Sequence, residues 1–237
     1  MAISTSSGEA AFSASLPYGV TRLLSGFVFS LGLILVAVGG AELFTGNNLI
    51  VMAWASGKVT ARALLRNWAI VYFGNFVGAI GTAVLMFFTR QYTFGAGAIG
   101  IAALRTGAAK CDLTFIQAVA VGILCNALVC MAVWLTFSAR SAADKIIAIV
   151  FPITAFVAAG FEHSVANMYF IPYALFIKIF DPQFISAVAD KVPGLEKLTW
   201  PAFWLDNLLP VTIGNIIGGA VLVAAMYWAI FLRPERS

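Results

Sequence analysis

The sequence predicts an all-α polytopic membrane protein built as an inverted repeat around two broken helices. Hydrophobic residues make up 62% of the 237 positions and charged residues only 10%, against roughly 25% charge in a typical soluble domain. Two apolar segments are too long for one span, and a polar cluster interrupts each. The same spaced residues recur at both interruptions.

The first apolar segment runs from about Leu23 to Ala55 and is interrupted from Gly39 to Asn48. A second, Asn67 to Phe88, suits one spanning helix. The polar, glycine-rich stretch Thr89 to Lys110 is expected to be a loop. A third segment runs from Leu113 to Phe137, with Asn126 inside it. The fourth, Ile146 to Ile177, is interrupted from Gly160 to Asn167, where the only histidine, His163, stands beside Glu162. As one helix this segment would be about 48 Å long, well beyond the roughly 30 Å hydrocarbon core. Two half-helices meeting near the bilayer midplane fit better. A connector from Asp181 to Trp204 carries Pro182, Pro193 and Pro201, and the last span runs from Leu208 to Leu232.

The short loops carry the orientation signal. Lys58, Arg62 and Arg66, then Arg140 and Lys145, then Arg233 and Arg236 fall on one side, opposed only by Asp144 and Glu235. The opposite side mixes Arg90, Arg105, Lys110, Lys178, Lys191 and Lys197 with Asp112, Asp181, Asp190, Glu196 and Asp206. The positive-inside rule then places the C-terminus in the cytoplasm, with Trp54, Trp68, Trp200, Trp204 and Trp228 as interfacial aromatics. No basic run supports nucleic-acid binding. Cys111, Cys125 and Cys130 lack CxxC spacing and imply neither a disulfide framework nor a metal site. The first 16 residues lack the basic and apolar regions of a signal peptide.

Gly40, Glu42 and Asn47 match Gly160, Glu162 and Asn167 as G-x-E-x-x-x-x-N. Downstream, Asn67, Gly74, Asn75 and Gly78 match Asn207, Gly214, Asn215 and Gly218. An odd number of steps separates the broken segments, so the copies insert with opposite polarity. Inverted repeats with broken helices are a transporter or channel design. Half-helix N-termini at the breaks favour anions. Glu42, Glu162, Asn47 and Asn167 occupy equivalent positions and read as ties that hold the breaks. The unmatched residues are the better functional candidates: His163 stands opposite Leu43, and Thr45 opposite Val165. A histidine, with an ordinary pKa near 6.5, can donate to an anion or exchange a proton with it. Lys110 is either an interfacial snorkelling residue or an electrostatic lure at a pore mouth. Asn126 is either interhelical glue or a solute contact.

The strings Gly40-Ala-Glu-Leu-Phe-Thr45, Asn67-Trp, Tyr72-Phe-Gly-Asn75, Gly160 to Met168, and Pro210 to Gly219 resemble the formate/nitrite transporter family, from about Pro17 to Leu232. The resemblance implies one transmembrane domain over 1–237, aquaporin-like, with an incomplete first repeat unit at about 17–88 and a second at about 112–232. It implies a homopentamer in a bacterial inner membrane, with a pore in each protomer. Thr45 would bond His163, with Lys110 in the vestibule and Asn126 in the pore. Phe29 and Phe156 would form an outer constriction, and Leu33, Leu43 and Phe44 an inner one. Two apolar constrictions are hostile to a bare anion, so a weak acid would be neutralised or protonated near His163, with Lys110 gathering the anion. Phe29 to Leu35 and Ser138 to Lys145 resemble the formate members most. Nitrite and hydrosulfide are alternative substrates, and protons and the lipid bilayer are the other partners; no cofactor is implied. A neutral-solute channel of the aquaporin kind is a second reading. A membrane-embedded enzyme using Glu162 and His163 is a third, but one histidine and no HExxH leave metal hydrolysis unsupported. A three-plus-three repeat also requires a helix before Pro17, where the sequence is small and polar, so one helix is expected to be missing and one flank of the first broken segment exposed.

Overall fold

The computed structural model describes residues 16–233, and these are almost wholly helical. Residues 1–15, where a preceding helix is expected to be missing, and Glu235 and Arg236 of the charge count lie outside the described residues. Helix α1 spans Tyr18–Gly39. A break follows, with a tight turn at Gly46–Leu49 and the short α2 at Ile50–Ala55. Helix α3 covers Ala61–Phe88, α4 Ala98–Cys111 and α5 Phe115–Thr136. The second broken pair is α6, Ala142–Ala158, and α7, Ser164–Phe180. Helix α8, Pro182–Val188, opens the connector, and α9 runs through Trp200–Leu232. Four of the described helices, α1, α3, α5 and α9, are long and apolar enough to cross a membrane.

Local chemistry sets several boundaries. Thr114 with Gln117, and Ser141 with Asp144, form reciprocal capping boxes at the starts of α5 and α6. Gly40 and Gly160 both adopt positive φ, 76° in each case. This left-handed conformation terminates a helix without a Cβ penalty. In α9 the backbone widens into π-type turns at Phe203–Leu208; Pro210, which lacks an N–H, stands two residues further on. Asp181 caps α8 by accepting from Phe184 N–H, and that bond holds its carboxyl below the usual range.

One expectation is corrected here. Thr89 to Lys110 is not simply a loop, because its second half is the 14-residue helix α4. Glycines and alanines that read as loop composition instead permit close packing. A Cβ on Gly107 would lie 2.6 Å from Ala174 Cβ of α7, and one on Gly100 would lie 2.5 Å from the Phe184 ring. Other helix contacts are equally close. Gly26 of α1 meets the backbone of Thr154 in α6, where a Cβ would come within 2.7 Å of the Thr154 carbonyl. Gly214 and Gly218 of α9 lie against α5 with hypothetical Cβ distances of 2.3 and 2.1 Å to Val119 and Ile123 carbonyls. One buried cluster, including Phe29, Leu33, Val129, Ile149, Ile153 and Phe156, joins α1, α5 and α6 beside both breaks. Helix α1 turns Leu23, Phe27, Leu31, Leu35 and Val38 outward, an exposed apolar flank.

Candidate functional site

The breaks are tied by matching hydrogen bonds. At the first, Asn47 Nδ2 donates to Glu42 Oε2 at 2.5 Å and to Asn67 Oδ1 at 2.8 Å. Asn75 donates to the Glu42 carbonyl and accepts from Phe44 N–H. At the second, Asn167 Nδ2 donates to Glu162 Oε2 at 2.6 Å and to Asn207 Oδ1 at 2.7 Å. Asn215 donates to the Glu162 carbonyl and accepts from Ser164 N–H. Breaking a helix inside a membrane exposes backbone polar groups, and these asparagines satisfy them.

Unmatched residues give the second break its chemistry. His163 is the N-cap of α7, and its Nδ1 accepts from Ala166 N–H at 3.1 Å. That nitrogen therefore carries no proton, so in the neutral ring Nε2 does. Nε2 lies 2.8 Å from Thr45 Oγ1, and the pairing makes histidine the donor and the hydroxyl oxygen the acceptor. Phe156 stacks on the imidazole, with centroids 6.2 Å apart. Glu162 accepts from Lys110 Nζ at 2.7 Å, and the side chains are only 8% and 15% exposed. Lys110 Nζ also sits 5.5 Å above the Phe170 ring.

Three cavities follow one another past this histidine. The first, ≈ 440 Å³, is lined by Arg22, Arg105, Lys110, Glu162, Phe29, Phe156 and His163 among others. The middle one, ≈ 450 Å³, shares Phe29, Phe156 and His163 with it. The third, ≈ 420 Å³, shares Leu33 and Leu43 with the middle one and reaches Glu42 and Lys145. Phe29 and Phe156 meet edge to face at 5.6 Å and are 7% and 3% exposed. Together with His163 they part the first two cavities, while Leu33 and Leu43 part the second from the third.

Not every sequence-nominated residue lies on these walls. Phe44 is corrected: its ring packs on Tyr72 at 4.8 Å and Trp68 at 5.9 Å, outside the three cavities. Its own N–H donates to Asn75 Oδ1 of α3 at 2.9 Å, which holds the residue against α3. Asn126 is fully buried behind Thr45. Its Nδ2 donates to the carbonyls of Asn215 at 2.7 Å and Thr45 at 3.2 Å, so it positions Thr45 rather than facing the cavities. Thr45 is likewise fully buried, with its hydroxyl on His163. Lys110 is no bare lure, because the Glu162 carboxylate holds it. Trp68 is corrected as well: its Nε1 donates to the Asn47 carbonyl at 3.0 Å, at the first break rather than an interface.

Sequence reasoning missed Arg22 and Asn48. Arg22 donates from Nε to the Ala158 carbonyl and from Nη2 to that of Val157. It stands two helical turns before Phe29, on the same face, and that spacing was the available signal. Asn48, adjacent to Asn47, donates to the Phe44 carbonyl at 2.9 Å.

Apolar helices around a row of cavities, with asparagine-tied breaks at its centre, define a membrane channel or transporter. The chain belongs to the formate/nitrite transporter family: the model described as Formate/nitrite transporter matches residues 1–229. It is similar to formate channel FocA of Escherichia coli (strain K12), at 48% identity over 222 residues, covering 93% of this chain and 78% of that protein. It is also similar to formate channel FocA of Haemophilus influenzae, at 41% over 212 residues, covering 89% and 75%. Among solved structures, a pentameric formate channel with formate bound superposes with a TM-score of 0.85 at 44% identity, covering 98% of this chain and 95% of that one. The chain is an integral membrane protein.

Proposed function

We propose that this protein is a homopentameric channel for small monovalent weak-acid anions, formate first, with one pathway through each protomer. The observation that carries the proposal is the cavity row parted at the Phe29, Phe156 and His163 septum. A bare anion crosses such an apolar septum only at high cost, and His163 Nε2–H is the donor placed to meet it there. In the neutral ring this N–H solvates the anion by turning from Thr45. Handing over a proton requires a doubly protonated ring, which first gives up the Nδ1 bond to Ala166. The similarity to formate channels supports formate as solute and five copies as the assembly. The exposed apolar flanks of α1 and α3 suit lipid and neighbouring protomers.

The whole chain, 1–237, is then one transmembrane domain with repeat units at about 17–88 and 112–232. Lys58, Arg62, Arg66, Arg140 and Lys145 support a cytoplasmic C-terminus in a bacterial inner membrane. Fluxes of formate, nitrite and hydrosulfide into liposomes at two pH values test the reading. Formate flux should change with pH in the parent, and the response should alter in His163→Asn. A pH-independent flux of uncharged solutes alone would instead support a neutral-solute channel. Phe156→Ala should admit larger anions.

A further inference from the structure

Helical spacing gives α4 two working faces. Arg105, Thr106 and Lys110 line the first cavity. Arg105, Ala108 and Asp112 line an outer groove of ≈ 680 Å³, against Glu196 and Lys197 of the connector. Arg105 therefore stands on the ridge between cavity and groove. It is exposed, whereas the Lys110 side chain, five residues or about 7.5 Å of helix further on, is only 15% exposed. The first cavity thus begins in solvent at Arg105 and deepens toward Lys110, His163 and the Phe29–Phe156 septum.

The charges along this cavity differ in what they present to an anion. Lys110 is paired with Glu162 at 2.7 Å, so together they show almost no net charge. Arg22 is engaged at the end of α6. Arg105 donates from Nε to the Lys191 carbonyl at 2.8 Å; a neutral acceptor anchors the head group without cancelling its charge. Among the described residues, no carboxylate lies within ion-pairing distance of Arg105. Asp112 is held by Lys197, and Glu196 lines the groove but not the cavity. A unit charge acts over about a Debye length, ~10 Å at 0.1 M salt, without touching the solute. A cavity with low-dielectric walls concentrates that field and raises the local anion concentration.

We propose that Arg105 is a positioning residue of the anion pathway: its guanidinium, at the solvent end of the first cavity, gathers the anion before it reaches the Lys110–Glu162 pair. The proposal rests on reading the cavity row as an anion route. Initial uptake of formate, and in parallel of nitrite, into liposomes tests it. Uptake is measured against anion concentration at ~0.02 M and ~0.5 M ionic strength for the parent, Arg105→Gln, Arg105→Lys and Lys197→Gln. At low salt the half-saturating concentration should rise about threefold in Arg105→Gln, with maximal flux and thermal stability near the parent's. High salt should raise the parent's value and erase that difference. Arg105→Lys keeps the charge, and Lys197→Gln removes one unit of charge from the groove alone; both should stay near the parent. An unchanged low-salt value in Arg105→Gln overturns the proposal. So does an equal rise in Lys197→Gln, which would make the effect one of overall surface charge. An equal rise in Arg105→Lys would assign the effect to the Lys191 bond, and failure of Arg105→Gln to reconstitute would assign Arg105 to the fold; either overturns it too. If the parent passes only one of the two anions, the series is judged on that anion. A parent that passes an anion while the variants match it removes Arg105 and leaves the anion route standing. A parent that passes neither anion removes both.

Discussion

At each break a glutamate accepts from the asparagine five residues on, and two further asparagines hold the loop to a neighbouring helix. The surroundings then diverge. Glu42 is exposed, and among the described residues no cation lies within ion-pairing distance of it, whereas Glu162 is buried against Lys110. Leu43 stands where the second break has His163. The first break supplies an apolar septum and the hydroxyl of Thr45; the second supplies the ionisable groups. A duplicated scaffold can thus keep its ties in both copies while chemistry accumulates in one.

The largest expected difference concerns the two glutamates. Glu162→Ala strands the Lys110 ammonium in a mostly buried site, and removing one partner of a buried pair costs about 3–5 kcal/mol. Thermal unfolding of the detergent-solubilised protein should show a large loss for Glu162→Ala and a much smaller one for Glu42→Ala. Equal losses would mean that the ion pair adds nothing to the matched ties.

Replacing His163 by leucine, the residue of the other break, should lower formate flux by about a hundredfold, while loss of the α7 cap costs only about 0.5–2 kcal/mol of stability. Adding Leu43→His to that variant should not restore flux, because Val165 stands at the position matching Thr45. Recovery of flux in the double variant would make the two breaks interchangeable and sink the asymmetry.

The matched glycines offer a third contrast. Gly218→Ala puts a Cβ 2.1 Å from the Ile123 carbonyl and should destabilise by about 1–3 kcal/mol. Around Gly78 nothing lies within 4 Å, so Gly78→Ala should be neutral or stabilise by up to about 1 kcal/mol through helix propensity. A Gly78→Ala loss as large as that of Gly218→Ala in the assembled protein would show that another helix covers this face. A smaller loss of flux than that of His163→Leu is expected for Thr45→Val, which removes only the acceptor for His163 Nε2. Formate flux should fall roughly threefold to tenfold without loss of assembly, and an unchanged pH profile would separate Thr45 from proton handling.

Much of this architecture was legible in one dimension. Composition marked the membrane, segment lengths marked the two breaks, and the spacing of Glu42, Asn47, Asn67 and Asn75 against Glu162, Asn167, Asn207 and Asn215 marked the ties. Such features survive in sequence because hydrophobic length and repeat spacing are properties of neighbouring residues along the chain. His163 could be singled out as the sole unmatched ionisable group at a break. Which element lies alongside which was decided only in three dimensions. Lys110 meets Glu162 across 52 positions, Thr45 meets His163 across 118, and Arg22 reaches Val157 across 135. No local preference encodes these distances. The same applies to α4, whose glycines and alanines read as loop until α7 and α8 are packed against them, and to Phe44, turned toward α3 by the asparagine that holds its backbone. Side-chain direction at a broken helix follows from what captures the freed N–H and C=O groups, and their captors come from other helices.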